Sequence, residues 1–283
     1  MALSTLKEKN YSYDIVPAEL LHYILKPLPL QQRIGLRAVS KQWKEVLEDD
    51  LQEETTLCIR DEEYTFEQIP EDRLLIKPDY FTVDLVRTLV GLMPEVTEVD
   101  IIGNSKSAVV VLPELLAPYD NLMSLSIDLE TGWYCKSTTV NTAIDRLAEI
   151  INAKADLISL SLEGYGEIRA LLLNLEPTLV ELERFSIKLF DGVPKDKLAT
   201  FLSNSLSPKC THLTTNQVIP FGFTDWADTL THLKVEFVDL KLFDIFNCCE
   251  RLESFHYHNN TVGLFLHILP IFSFINTISP YRL

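Results

Sequence analysis

The chain has 283 residues, 47% of them hydrophobic, with 41 acidic against 25 basic side chains and a formal net charge of −16. That apolar content suffices for a continuous core and excludes wholesale disorder. The charge argues against nucleic acid and an anionic membrane surface, and it is compatible with a basic protein partner or with carboxylates that serve only solubility. The five cysteines, Cys58, Cys135, Cys210, Cys248 and Cys249, form no Cys-x-x-Cys pair, and an odd number suits no disulfide framework. The opening "MALSTLKEKNYSYD" lacks the apolar run of a secretory signal, so a reducing compartment, cytoplasm or nucleus, is expected.

Near the start of the chain stands the apolar segment "VPAELLHYIL" (16–25). Pro17 suits a helix start, and Leu20, Leu21, Ile24 and Leu25 recur at helical spacing. The prolines of "KPLPL" (26–30) stop that helix, and "QQRIGLRAVSKQWKEVLE" (31–48) reads as further helix through Ile34, Leu36, Val39, Trp43, Val46 and Leu47. Two or three short helices make a thin core, so this unit must borrow burial from a partner or from the rest of the chain. It also suits the N-terminal cap of a larger fold.

The run Val16-Pro17, Glu19-Leu20-Leu21, Ile24-Leu25, Leu28, Leu30, Arg33, Leu36, Arg37-Ala38-Val39-Ser40 and Trp43 resembles an F-box. Val16 stands where that family usually has Leu, and "PLPLQQRIG" lacks a frequent acidic residue. The resemblance implies a recruitment module that docks on a Skp-type adaptor, which links it to the cullin and RING subunits of an SCF-type ubiquitin ligase. By similarity Pro17, Leu20, Leu21, Ile24 and Leu25 would line the adaptor contact, while Val39 and Trp43 would help hold the module together.

Next comes "EVLEDDLQEETTLCIRDEEY" (45–64), with nine carboxylates against the single Arg60. It reads as a solvated helix end and linker; a contact for a basic partner is the sharper alternative. Beyond it an apolar-x-x-apolar-x-apolar pattern returns: "VTEVDI" (96–101), "LMSLSI" (122–127), "LISLSL" (157–162), "LERFSI" (182–187), "LTHLKV" (230–235) and "LESFHY" (252–257), with a weaker "CTHLTT" (210–215). The last four residues of each copy alternate as a strand does. Helices are expected between copies at 138–154, 167–175 and 194–204. The copies start roughly 20–35 residues apart, the range of solenoid repeats.

This pattern resembles a degenerate leucine-rich repeat array over about 90–260, although the family's Asn after the strand occurs only at Asn104 and Asn260. The expected fold is α/β: a short all-helical F-box followed by a curved leucine-rich-repeat solenoid with a parallel sheet. The domains would be 11–50 (adaptor binding), 51–90 (acidic linker and first capping elements) and 91–283 (repeats). Substrate-face candidates between the core positions are Asp100, Asp128, Glu163, Lys188, Glu236, His256 and His258.

Motifs for chemistry are lacking. No phosphate-binding Gly-x-x-x-x-Gly-Lys run and no Gly-x-Ser-x-Gly elbow occurs. His256 and His258 with the adjacent Cys248 and Cys249 do not match zinc-site spacing. Cys210 and His212 suggest a nucleophile pair only superficially. A non-catalytic receptor without metal or cofactor is expected, with a non-ligase scaffold as the rival reading. The apolar end, "TVGLFLHILPIFSFINTISPYRL" (261–283), is expected to be a buried terminal helix or repeat cap, with a membrane tail or a chain cut within a repeat as rivals.

Overall fold

The computed structural model describes residues 16–61, 74–76, 80–103, 105–129, 137–175, 179, 181–190, 209–216, 228–235, 249, 251–258 and 265–268, giving the backbone alone for 257, 258 and 265–268. Pro17 and Pro29 stand directly before the first two helices, α1 (Ala18–Leu25) and α2 (Leu30–Leu36). Each proline carbonyl accepts from the N–H groups three and four residues on. The stretch that reads as one helix over 31–48 breaks before α3 (Lys41–Gln52). Ser40 makes the break: its backbone is extended and its Oγ accepts from the Trp43 N–H at 3.2 Å. Leu21, Leu25 and Leu47 form a small core, with Val16, Leu28, Leu36, Trp43 and Val46 packed around it.

The helices lead into strand β1 (Thr56–Asp61), not a linker. β2 (Leu74–Ile76) and helix α4 (Val83–Leu92) follow. Strand and helix then alternate: β3 (Glu98–Gly103), α5 (Lys106–Leu116), β4 (Ser124–Leu129), α6 (Thr138–Asn152), β5 (Ser159–Gly164) and α7 (Gly166–Asn174). The remaining strands are β6 (Arg184–Leu189), β7 (His212–Thr215), β8 (His232–Val235), β9 (Ser254–His258) and β10 (Phe265–Ile268). All ten strands form one sheet in the order β10-β9-β8-β7-β6-β5-β4-β3-β1-β2. Every pairing is parallel except β10 with β9.

Thus a helical N-terminal unit precedes a parallel sheet with helices, and each of the seven apolar patterns begins or contains a strand, β3 to β9. Parallel neighbours need long crossovers, and α4 to α7 supply several. Successive helices pack side by side, α4 on α5, α5 on α6 and α6 on α7. Alternation decides which side of the sheet they cover. Val99 and Ile101, Leu125 and Ile127, Leu160 and Leu162, Phe185 and Ile187 are buried on one face. The residues between them are half-buried on the other. One continuous core runs from Leu30 to Phe255.

Gly103, Leu129, Gly164 and Leu189 stand in register on β3 to β6, so Leu129 lies between two glycines. Gly164 has φ +146°, and a Cβ there would sit 2.5 Å from the Leu129 carbonyl oxygen.

The expected helices at 138–154 and 167–175 correspond to α6 and α7. In the apolar C-terminal segment, expected to be a buried terminal helix or repeat cap, 265–268 is strand β10, which pairs antiparallel with β9 at the end of the sheet. The remainder of 261–283, and the helix expected at 194–204, lie outside the described residues. Among the described residues no helix is long and apolar enough to cross a membrane.

Candidate interaction surfaces

On α1, residues four apart share a face. Leu21 and Leu25 point into the small core and are each 1% exposed. Leu20 and Ile24, one position back, point outward at 54% and 58% exposed, beside Tyr23 at 75%. Pro17 is also exposed. Of the five residues that the F-box resemblance implies for an adaptor contact, Pro17, Leu20 and Ile24 are exposed and Leu21 and Leu25 are buried. The pattern Leu-Leu-x-x-Ile-Leu gives two adjacent apolar stripes, and only one can face the core. Val39, expected to help hold the module together, is 48% exposed, whereas Trp43 does pack on the core.

The patch is held on a fixed frame. His22 Nδ1 lies 2.5 Å from Oδ1 of the buried Asp50, which ties α1 to α3. Gln42 Nε2 donates to the Val16 carbonyl at 2.8 Å, and Arg37 pairs with Glu48.

The second surface is the sheet face away from the helices. Asp100, Asp128, Glu163 and Lys188 are half-buried there and His256 is exposed, while Glu236 and the His258 side chain lie outside the described residues. The register aligns Asp100, Ser126, Ser161, Ser186, Thr214, Lys234 and His256 in one row across β3 to β9. Asp128, Glu163 and Lys188 align in the next, with Lys188 Nζ 3.2 Å from Glu163 Oε2.

A third row escaped sequence reasoning: Glu98, Ser124, Ser159, Arg184, His212, His232 and Ser254. In it the His212 and His232 rings stack, centroids 4.1 Å apart and planes 8° from parallel. The signal was present, because Thr-His-Leu occurs at both 211–213 and 231–233. Two in-register copies must lay one imidazole on the other. Thr211 Oγ1 and Thr231 Oγ1 each lie 2.8 Å from the Nδ1 of the following histidine. Each hydroxyl also donates to a carbonyl, Thr211 to Glu183 and Thr231 to Thr211. The Nδ1–H tautomer satisfies both contacts at once, with each Oγ1 donating to the carbonyl and accepting from Nδ1–H, and in that tautomer Nε2 is the basic nitrogen. The His212 pKa is lowered, first by burial and then by His232 and Arg184, against the pull of Glu183 and Glu253.

Cys210 does not pair with the His212 ring. Its thiol is fully buried, donates to the His212 carbonyl at 3.4 Å, and is pushed up to about 12 mainly by burial. Lys154 is buried too; its Nζ reaches the Ala117 carbonyl at 3.3 Å and Asp120 at 3.7 Å, which links α6 to the turn after α5. Desolvation lowers its pKa, partly offset by Asp120. Among the described residues no three His, Cys, Asp or Glu side chains are grouped to hold a metal.

Residues 15–51 match the F-box domain family. The matched span holds α1, α2 and nearly all of α3, and ends before the sheet begins. No curated protein matches the chain. An F-box domain implies a Skp-type adaptor as its partner.

Proposed function

We propose that this F-box-bearing chain is the substrate-recognition subunit of an SCF-type ubiquitin ligase. The F-box docks on a Skp-type adaptor, which brings cullin and RING subunits, and the sheet face holds the protein to be ubiquitinated. One observation carries the reading. Leu20, Tyr23, Ile24 and Val39 stay exposed on a module whose own core is already closed around Leu21, Leu25 and Leu47. Large apolar side chains left outside a completed core mark an interface, and such anchors supply most of the energy of one.

We read the sheet as a degenerate leucine-rich-repeat array over 91–283, preceded by the F-box at 11–50 and by lead-in elements at 51–90. Support comes from the consecutive order of parallel strands, the helices between them and the recurring six-residue pattern. The chain contributes binding surfaces and no chemistry, needs no cofactor, and works in the cytoplasm or nucleus.

The test is co-elution of the purified chain with a Skp-type adaptor. The wild type should co-elute, and Leu20→Asp with Ile24→Asp should not while remaining folded. Failure of the wild type to bind would leave a scaffold without ligase and overturn the proposal.

A further inference from the structure

The open sheet face is divided by charge. Consider its first two rows, which the parallel register fixes. On β1 and β3 to β5 they hold Thr56, Glu98, Ser124 and Ser159, then Cys58, Asp100, Ser126 and Ser161: two carboxylates and no cation. On β6 to β9 the same rows hold Arg184, His212, His232 and Ser254, then Ser186, Thr214, Lys234 and His256: five basic groups, three hydroxyls and no carboxylate. The Glu163–Lys188 pair stands where the halves meet. On a chain of net charge −16, two rows without a carboxylate over four adjoining strands are unexpected among the described residues, with Glu183 and Glu253 flanking them at the strand starts.

We propose that the β6–β9 half of this face binds a carboxylate-rich segment of a partner protein, and that it binds more tightly at lower pH. This rests on the substrate-receptor reading and names the chemistry of what that face takes. Arg184, His212 and Lys234 are exposed and His232 is half-buried. Strands lie about 4.8 Å apart, so the four strands span roughly 14 Å, the length of four to five extended residues crossing them. The hydroxyls of Ser186, Thr214 and Ser254 add neutral donors among the cations. Distant carboxylates of the same chain are screened beyond about 8 Å at physiological salt, so the local field decides.

The histidine geometry gives the pH dependence its direction. Nδ1 is held by a threonine in both rings, so a proton arriving at Nε2 creates a cation without breaking that contact. The groups facing His212 are Glu183 and Arg184 at β6, His232 on β8 and Glu253 at the start of β9. Arg184 and the stacked partner oppose its charging. A carboxylate laid over the rings removes that opposition, and by linkage a ligand that favours the protonated form binds better where protons are plentiful. Glu183 and Glu253 lie at the strand-start edge, ahead of the two rows.

The experiment uses the full chain and a fluorescein-labelled hexaglutamate peptide, read by anisotropy at about 0.15 M ionic strength. Binding should tighten by about threefold or more from pH 7.5 to 5.5, and Arg184→Glu with Lys234→Glu should weaken it at least about tenfold. His212→Gln with His232→Gln should keep binding at pH 7.5 and flatten its rise toward pH 5.5. Circular dichroism and adaptor co-elution on the same variants keep this outcome separate from that of the ligase reading. Unchanged affinity in the charge-reversed variant, no hexaglutamate binding by the wild type, or preference for hexalysine or single-stranded DNA would each overturn the proposal.

Discussion

Substituting either of the two apolar stripes of α1 should produce opposite phenotypes. Leu21, at 1% exposed, touches only its own chain's core. Leu21→Ala should cost about 2–5 kcal/mol, the usual range for a buried leucine, and this core offers little to collapse into the gap. Leu20 and Ile24 already have 54% and 58% of their surface in water. Fully burying such a side chain is worth about 1.5–3 kcal/mol, so covering the exposed half of each contributes about 0.8–1.6 kcal/mol. Together they supply about 1.6–3.2 kcal/mol to an adaptor interface, or roughly 15- to 200-fold in affinity. Leu20→Ala with Ile24→Ala should lose about that much by titration calorimetry, with stability within about 0.5 kcal/mol of the parent. Replacement by Asp should cost more, since an unpaired charge would be desolvated on docking. Full adaptor affinity in the double alanine variant, with binding lost only when Leu21 is changed, would refute the outward-patch argument.

Three further outcomes follow from the sheet. Gly164→Ala places a Cβ 2.5 Å from the Leu129 carbonyl oxygen at φ +146°, and steric displacement with backbone strain should cost about 2–5 kcal/mol in urea unfolding. Asn216 is buried and brackets Leu189, accepting from its N–H at 2.9 Å and donating to its carbonyl at 3.0 Å. Asn216→Ala removes both buried bonds and should destabilise by about 2–4 kcal/mol, measured the same way. The His212 pKa is lower in the fold than in the unfolded chain, so the unfolded state takes up the proton first. Its contribution is therefore whole above the ordinary histidine value and is lost as pH falls through that value and then the folded one. The fall in melting temperature from pH 8 to 5 should be smaller in His212→Gln than in the parent.

Elements with a strong period were legible. Leu125 and Ile127, or Leu160 and Leu162, alternate cleanly, and their strands follow. β1 was not, because charge counting hid it. Leu57 and Ile59 alternate inside a run of carboxylates, and one of those, Asp61, is fully buried and bonded to Ser105 Oγ at the start of α5. A carboxylate counted as solvated in fact joins the sheet to a helix. The two stripes of α1 could not be told apart by spacing, since Leu20 with Ile24 and Leu21 with Leu25 are equally good pairs. Only the position of α3 decides which is inside. The histidine stack needed the register of β7 against β8, a non-local fact that a repeated Thr-His-Leu hints at and does not fix.

The junction between the two surfaces bears on how they act together. Leu30 on α2 and Leu51 on α3 belong to the core of the sheet and not to that of the helical unit. Arg33 on α2 reaches Glu54, just before β1, at 2.6 Å, and α3 packs against α4. One residue, Thr55, lies between Glu54 and the first strand, and its carbonyl accepts from the N–H groups of Glu98, which begins β3, and of Thr97 just before it. A chain joined this way cannot pivot at the boundary without opening buried leucines. The outward stripe of α1 and the open face of the sheet are therefore held at a fixed mutual orientation. A partner gripped on the face is presented at a set position relative to whatever grips α1. Leu51→Ala, which removes a fully buried anchor of that junction, tests the coupling. It should loosen hydrogen-exchange protection in α2 and β1 together, and protection lost in one element alone would mean that the two units move independently.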